Sequence, residues 1–91
     1  MTNQARVDKI RECLVVALEP QELEIRDDGH LHVGHAGARD GRGHFHVRIV
    51  SSAFCGQAPL ARHRAIYAAL GDMMQTDIHA LAIDACAAEE S

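Results

Sequence analysis

The sequence predicts one α+β domain with the element order helix, strand, strand, helix, strand, in which a three-stranded mixed sheet carries its helices on one face. Three observations predict this class. A chain of 91 residues has the length of a single domain. The spacing of apolar residues changes from three and four to alternation and back along the chain. Apolar residues make up 47% of the chain and aromatic ones only 3%, which predicts an aliphatic core around Phe45, Phe54 and Tyr67.

A first helix is predicted from four apolar residues at spacings of three and four: Val7, Ile10, Leu14 and Leu18. Thr2 or Asn3 is a suitable N-cap, and Pro20 ends the helix because proline cannot continue it. Cys13 lies beside this stripe, so we expect it to be a small buried residue without chemistry of its own.

The next two elements are strands separated by a long loop. Leu23 and Ile25 alternate with charged residues, which predicts a strand with one solvated face. The segment 28–43 is rich in glycine and histidine, so we predict a mobile loop, and loops of this length are usually functional. Alternation returns in the second strand, with Phe45, Val47 and Ile49 on one side and His44, His46 and Arg48 on the other.

The second helix is predicted to begin near Pro59, which suits a first turn, and an additional short helix can precede it. One face of this helix carries a set of five residues: His63, Ile66, Tyr67, Leu70 and Met74. Gly71 marks a weakened or ending helix. Residues 78–85 alternate again and predict a third strand parallel to a neighbour, after which the acidic tail 87–91 is expected to fray.

Charge and cysteine content exclude several classes of protein. The formal net charge of −4 disfavours strong non-specific binding to nucleic acid, although Arg62 and Arg64 form a local basic patch. The three cysteines are odd in number and lack CxxC spacing, which argues against a disulfide framework or a four-cysteine zinc site. No segment has the length of a signal peptide's apolar run or a membrane span, so we expect a soluble, cytoplasmic protein without a membrane partner.

Histidines are the residues that most favour chemistry. The chain has seven, and five of them crowd into the loop and the start of the second strand: His30, His32, His35, His44 and His46. Neutral imidazole binds zinc, copper and iron well. The spacing alone specifies no complete metal site, because no HExxH or CxxC motif accompanies these residues. Solvated loop histidines with incidental affinity for zinc or nickel therefore remain the alternative.

Three short runs carry a family resemblance. They are Phe-Cys-Gly at residues 54–56, Arg-His-Arg at 62–64 and Ile-His-Ala-Leu at 78–81, with matching positions upstream at 27–29, 32, 34–35, 44–45 and 47–51. In order and spacing they resemble the BolA family of small iron–sulfur partner proteins and stress-linked regulators. The resemblance covers roughly residues 5–86 and implies a class II KH-like fold, which agrees with the predicted element order.

The resemblance also implies a cofactor and a partner. BolA-like proteins pair with monothiol glutaredoxins and share a [2Fe-2S] cluster with them, so no cofactor is expected in the isolated chain. By alignment with the family, His32 and His79 are the implied ligands, and His35, His30 and His63 are weaker candidates. A glutaredoxin cysteine and the glutathione thiolate would complete the set of four ligands.

The runs at 54–56 and 62–64 suggest a partner or nucleic-acid surface that contains Gly56, Arg62 and Arg64. Arg62 and Arg64 are expected to point outward. His63 is expected first of all to pack in the core or against a neighbouring helix, and secondly to contribute to the partner surface. Cys55 departs from the family pattern and is given no role. The alternative function is a DNA-binding transcriptional regulator that uses a helix-turn-helix-like segment at residues 52–74.

Catalysis and self-association are the last two properties that the sequence addresses. No nucleophile motif is present and the domain is too small to enclose a sizeable pocket, so we do not expect an enzyme. Homodimerisation stays open.

Overall fold

The computed structural model describes residues 3–28 and 43–90. Helix α1 spans Asn3–Leu18, strand β1 Glu22–Asp27 and strand β2 Gly43–Val50. A 3₁₀ turn, Ser52–Phe54, precedes helix α2, Pro59–Leu70, and the short helix α3, Met73–Thr76. Strand β3 spans Ile78–Cys86, and a last 3₁₀ turn spans Ala88–Glu90. The predicted element order is confirmed, and the predicted loop 28–43 lies almost wholly outside the described residues.

The sheet is mixed, as the sequence predicted, with β2 in the centre. β1 pairs with β2 in antiparallel orientation, and β3 pairs with β2 in parallel orientation. Phe45, Val47 and Ile49 of β2 are at most 2% exposed. Strands β1 and β3 alternate between exposed and partly buried residues, which is the pattern of a sheet with one face on the core and one in solvent.

The helices cover the core face of the sheet. Val7, Ile10 and Leu14 of α1 are buried, as their helical spacing predicted, and pack in one cluster with the apolar residues of β2. α2 contributes Ile66 and Leu70 to this cluster. At roughly 25 cal/mol per Å² of apolar surface removed from water, this burial is the main favourable term in folding.

The apolar spacing predicted one helical face that extends as far as Met74. In the structure, Gly71 interrupts this helix and separates α2 from α3. The backbone of Gly71 has φ 57° and ψ −127°, a conformation that a side chain strongly disfavours, so α2 ends there. α3 then buries Met73 and leaves Met74 only partly buried. The expectation for Tyr67 was wrong, because its side chain is 40% exposed and lies outside the core.

The described part of the acidic tail, residues 87–90, forms an ordered turn, contrary to the sequence-based expectation of fraying. Ala87 is fully buried, and the turn Ala88–Glu90 folds back against the first 3₁₀ turn and the start of α2. The reason is electrostatic, because two tail carboxylates find donors there that the linear sequence does not reveal.

Ser51 joins α1 to the end of β2. Its hydroxyl donates to the carbonyl of Leu18 at 2.6 Å, and its Oγ accepts the backbone N–H of Ala53 at 3.1 Å. Ser51 is completely buried, so one shielded side chain serves a main-chain acceptor and a main-chain donor at once.

We therefore expect Ser51→Ala to lower the free energy of unfolding by about 1–3 kcal/mol, because it leaves these two main-chain groups with one partner fewer. Urea denaturation followed by circular dichroism measures the change. Ser52→Ala, at the exposed neighbouring position, is the matched control and should have little effect. Equal stability of the two variants would contradict this role of Ser51.

Candidate functional site

A β-bulge lies where β2 and β3 begin. Gly43 pairs with Ile78, but the next pair is His44 with Ala80, so His79 is the extra residue of β3 at this point. Bulges bend a strand locally and re-aim a side chain, and they are frequent beside functional sites. Here the extra residue is a histidine on the exposed surface.

His79 and His44 are neighbours in space. Their ring centroids are 5.0 Å apart and their ring planes are tilted by 54°. His44 is only 7% exposed, whereas His79 is accessible to solvent. An open cavity of about 290 Å³ lies beside His44 and is lined by Asp28, His44, Phe45, Ala80, Leu81 and Ala82. The arrangement presents one accessible imidazole against a second, buried one.

The strand start that carries His79 is held by Asp77. Its carboxylate, on a residue that is 8% exposed, accepts the Thr76 hydroxyl at 2.9 Å and lies 3.4 Å from Nε of Arg6. Its backbone carbonyl accepts the N–H of Gly43 at 2.9 Å. Asp77 therefore ties α1, α3 and β2 together two residues before His79.

The structure brings together His79, a predicted ligand, and His44, to which the sequence analysis gave no role. His30, His32 and His35 lie outside the described residues. The alternation put His44 on the side of its strand opposite Phe45, Val47 and Ile49, and the structure shows that it is buried. The signal for it was available, since neighbouring parallel strands begin at the same edge of a sheet and both histidines stand at strand starts.

His63 lies on α2 and is partly buried. Within residues 3–28 and 43–90, no group of three or more His, Cys, Asp or Glu side chains is arranged to hold a metal ion. The His44–His79 pair at the bulge therefore brings two imidazoles together without a third such ligand among these residues.

Arg62 differs most from its predicted role as an outward-pointing contact. Its side chain is 11% exposed and donates to the carbonyls of Gln57 at 2.9 Å and Ala85 at 3.3 Å. Its two terminal nitrogens donate to the two carboxylate oxygens of Glu90 at 2.6 and 2.9 Å. This is the bidentate geometry that makes arginine–carboxylate pairs strong and directional. Arg64, in contrast, is exposed as predicted.

Arg62, on α2, contacts the end of β3, whereas His79 lies at the start of that strand. Arg62 contacts Ala85, six residues after His79 in the strand, which corresponds to about 20 Å at about 3.3 Å per residue. The predicted metal ligand and this predicted surface residue therefore do not form one compact site.

Gly56 and Cys55 lie beside the tail. Gly56 has φ 77°, so its left-handed backbone turns the chain from the first 3₁₀ turn towards α2. The Cys55 thiol donates to Glu89 at 2.7 Å, and this hydrogen bond, helped by burial, raises the pKa of Cys55. A raised pKa disfavours the thiolate, which is the form that binds metals, so Cys55 is a poor cluster ligand.

A profile of the family described as BolA-like protein matches residues 14–90. The chain belongs to the BolA-like family. Among curated proteins, it is 46% identical over 80 residues to SufE-like protein 1, chloroplastic/mitochondrial, of Arabidopsis thaliana, covering 82% of this chain and 22% of that protein. It is 45% identical over 76 residues to human BolA-like protein 1, covering 84% of this chain and 53% of that one. The BolA-like chain therefore spans 53% of the length of the human relative and 22% of the length of the Arabidopsis protein.

A third relative has nearly the same length. An uncharacterised protein from the cobS 5′ region of a Sinorhizobium species is 42% identical over 85 residues, covering 91% of each chain. Among solved structures, the BolA domain of Arabidopsis SufE1 has a TM-score of 0.83 and 43% identity, covering 94% of this chain and 95% of that one. These similarities confirm the α+β fold of the BolA-like chain. Among its described residues, no helix is long and apolar enough to cross a membrane.

The role of Asp77 at the bulge can be tested by Asp77→Ala. We expect a loss of about 1–3 kcal/mol in the free energy of unfolding, because Arg6 and Thr76 lose an acceptor at a buried position. The amide resonances of Gly43 and His79 should shift in ¹⁵N–¹H spectra. Asp72→Ala is the matched control, since Asp72 is exposed at the start of α3. Unchanged Gly43 and His79 resonances would exclude Asp77 as the anchor of the bulge.

The contact between Arg62 and Glu90 predicts an unusual titration. The hydrogen bond from Arg62 lowers the pKa of Glu90 from 4.5 to about 2. Because the ionised form is favoured in the folded chain, the stabilisation is present above pH 4.5 and is lost as the pH falls through about 2. Carboxyl ¹³C shifts should show this low midpoint in the original chain and a midpoint near the ordinary value in Arg62→Gln. An ordinary midpoint in both would show that the contact does not persist in solution.

Proposed function

We propose that this BolA-like chain binds a monothiol glutaredoxin as a heterodimer and shares a [2Fe-2S] cluster with it, acting in iron–sulfur cluster trafficking or in iron- or redox-stress regulation. The observation that carries the proposal is the exposed imidazole of His79, aimed by a β-bulge and packed against His44. Family membership supports the same function.

The donor chemistry at the bulge fits such a cluster. Neutral imidazole is a ligand for iron, and an exposed histidine at a strand start can reach a group that a partner holds. In the proposal, His79 supplies one ligand and His32 supplies the second. His44 packs on the buried side of His79 and limits the orientations of its ring.

Histidine ligation has a chemical consequence. When bound, the cluster would carry two imidazoles in place of two thiolates on one iron, which lowers its negative charge and raises its reduction potential. The four ligand positions of the cluster leave two for the glutaredoxin cysteine and for glutathione, so a partner is an integral part of the site.

The role we propose is that of an adaptor and not of an enzyme. The cavity beside His44 is open and small, and its lining is mainly alanine, leucine and phenylalanine side chains. All three cysteines are free, which suits the reducing cytoplasm in which we place the chain.

The DNA-binding alternative receives less support. The segment 52–74 forms a three-residue 3₁₀ turn, the 12-residue helix α2 and the start of the four-residue helix α3. The 3₁₀ turn and α3 are both too short to pair with α2 as the second helix of a helix-turn-helix. Of its two proposed contacts, Arg62 is engaged by Glu90, which leaves Arg64 as the exposed one. The shared cluster is therefore the function that the described residues favour.

The proposal is tested by anaerobic titration of the chain into a monothiol glutaredoxin that carries its glutathione-ligated [2Fe-2S] cluster, followed by visible circular dichroism. A new spectrum that saturates at one chain per glutaredoxin is expected. His79→Ala and His32→Ala should each alter or abolish it, because each removes a proposed ligand. His44→Ala should broaden or weaken it while preserving the stoichiometry.

His46→Ala is the matched control, because His46 lies on the same strand as His44 but away from the bulge. It should leave the spectrum unchanged. If neither His79→Ala nor His32→Ala alters the spectrum, these residues are not ligands. If the unmodified chain produces no new spectrum at all, the shared-cluster function itself is wrong.

A further inference from the structure

Arg62 is held in place before any external ligand arrives. Its Nε donates to the carbonyl of Gln57 and one terminal nitrogen donates to the carbonyl of Ala85, so the main chain on two sides fixes the guanidinium plane. Both contacts are independent of the tail side chains. With these two anchors, the outer edge of the guanidinium keeps its direction whatever occupies it.

The group that occupies this edge is a carboxylate of the chain itself. Glu90 contacts both terminal nitrogens of Arg62, and its Oε1 also accepts the N–H of Ala87 at 2.9 Å. The side chain of Glu90 is 47% exposed, whereas that of Arg62 is 11% exposed. The guanidinium is therefore the fixed half of the pair, and the carboxylate is the half that lies at the surface.

The turn that delivers Glu90 is attached mainly through its two carboxylates. Within the turn, the N–H of Glu90 donates to the carbonyl of Ala87, which is the buried anchor. Beyond Ala87, the Glu89 side chain accepts from Cys55 and the Glu90 side chain accepts from Arg62. Rotation about the backbone after Ala87 would release both carboxylates without exposing the core.

We propose that Arg62 and its two carbonyl supports form a carboxylate-binding site for an acidic segment of a protein partner, and that Glu90 occupies this site in the free chain. The partner's glutamate or aspartate would replace Glu90 and make the same two hydrogen bonds. The site is separate from the proposed cluster site, since it lies at the other end of β3.

The surroundings favour an acidic peptide over nucleic acid. A planar carboxylate already fits the site, and carboxylate is the planar partner that the guanidinium edge matches with two parallel hydrogen bonds. Nucleic-acid binding needs several phosphates neutralised along a surface, whereas this chain has a net charge of −4 and Glu89 lies beside the site. A single, largely covered arginine therefore suits one carboxylate better than a phosphate backbone.

The experiment uses the full chain and an acetylated, amidated peptide with the sequence of residues 87–90, Ala-Ala-Glu-Glu. The Nε–H resonance of Arg62 is followed by NMR during titration. Glu90→Gln removes the negative charge of the occupant and one of its two matched acceptor oxygens, so the peptide should displace it and bind to this variant saturably. It should bind to the unmodified chain about tenfold more weakly, because the attached tail competes at a high effective concentration.

Two variants separate this site from simple charge attraction. Glu89→Gln weakens the second attachment of the tail but leaves Glu90 in the site, so it should increase peptide binding much less than Glu90→Gln does. Combining Glu90→Gln with Arg62→Lys keeps the positive charge but removes the two-pronged geometry, and peptide binding should be lost while the chain remains folded. Retained peptide binding in this double variant would overturn the proposed geometry.

Two other outcomes would overturn the proposal. If the peptide does not bind to the Glu90→Gln variant, the Arg62–Glu90 contact only fastens the tail. If a short DNA duplex shifts the Arg62 resonance in that variant and the peptide does not, the site recognises phosphate. Neither outcome affects the cluster titration, which depends on His79 and not on Arg62.

Discussion

Burial of the central strand is the constraint on which the other features of this domain depend. β2 is paired on both edges, and its three inward side chains are almost inaccessible to water. α1 and α2 pack on these side chains and bury their own apolar faces in doing so. A shift of one residue in the pairing would turn the inward side chains towards solvent, so the register is strongly specified. The positions of both proposed sites depend on this register.

Because the register is fixed, the bulge is a local change at the start of β2 and β3. Strands β2 and β3 remain in regular parallel pairing from His44 and Ala80 onwards, and the irregularity is confined to their first residues. A single extra residue there costs little core packing, because Ile78 is still completely buried. The bulge therefore changes the direction of His79 without disturbing the core, while Asp77 holds the start of the strand through its contacts with three other elements.

The proposed histidine site and the proposed arginine site lie at the two ends of β3. Its first residues present the imidazole of His79 beside that of His44 in β2, a side-chain type suited to metal ions. Its last residues lie beside Arg62 and the Glu90 carboxylate that Arg62 binds. The intervening strand is part of the rigid sheet, so neither end can move towards the other. A glutaredoxin that engages His79 and an acidic segment that engages Arg62 would thus contact different parts of the surface, and occupancy of one need not block the other.

The sequence by itself determined the order of elements, the aliphatic core and the family. These follow from local patterns, namely apolar spacing, turn residues and short runs, and each pattern is contained within a few neighbouring residues. His79 was also identifiable, because its run at 78–81 carries the resemblance. The predicted loop ligands lie outside the described residues and remain predictions.

Only the tertiary structure decided which distant side chains meet. His44 and His79 are 35 positions apart in the chain, and Arg62 and Glu90 are 28 apart. No local pattern encodes such contacts, because they arise when a parallel crossover and a folded tail bring separate segments together. For the same reason, the exposed position of Tyr67 and the ordered tail were missed. Helical spacing shows which residues share a face, but the neighbouring elements decide how much of that face is covered.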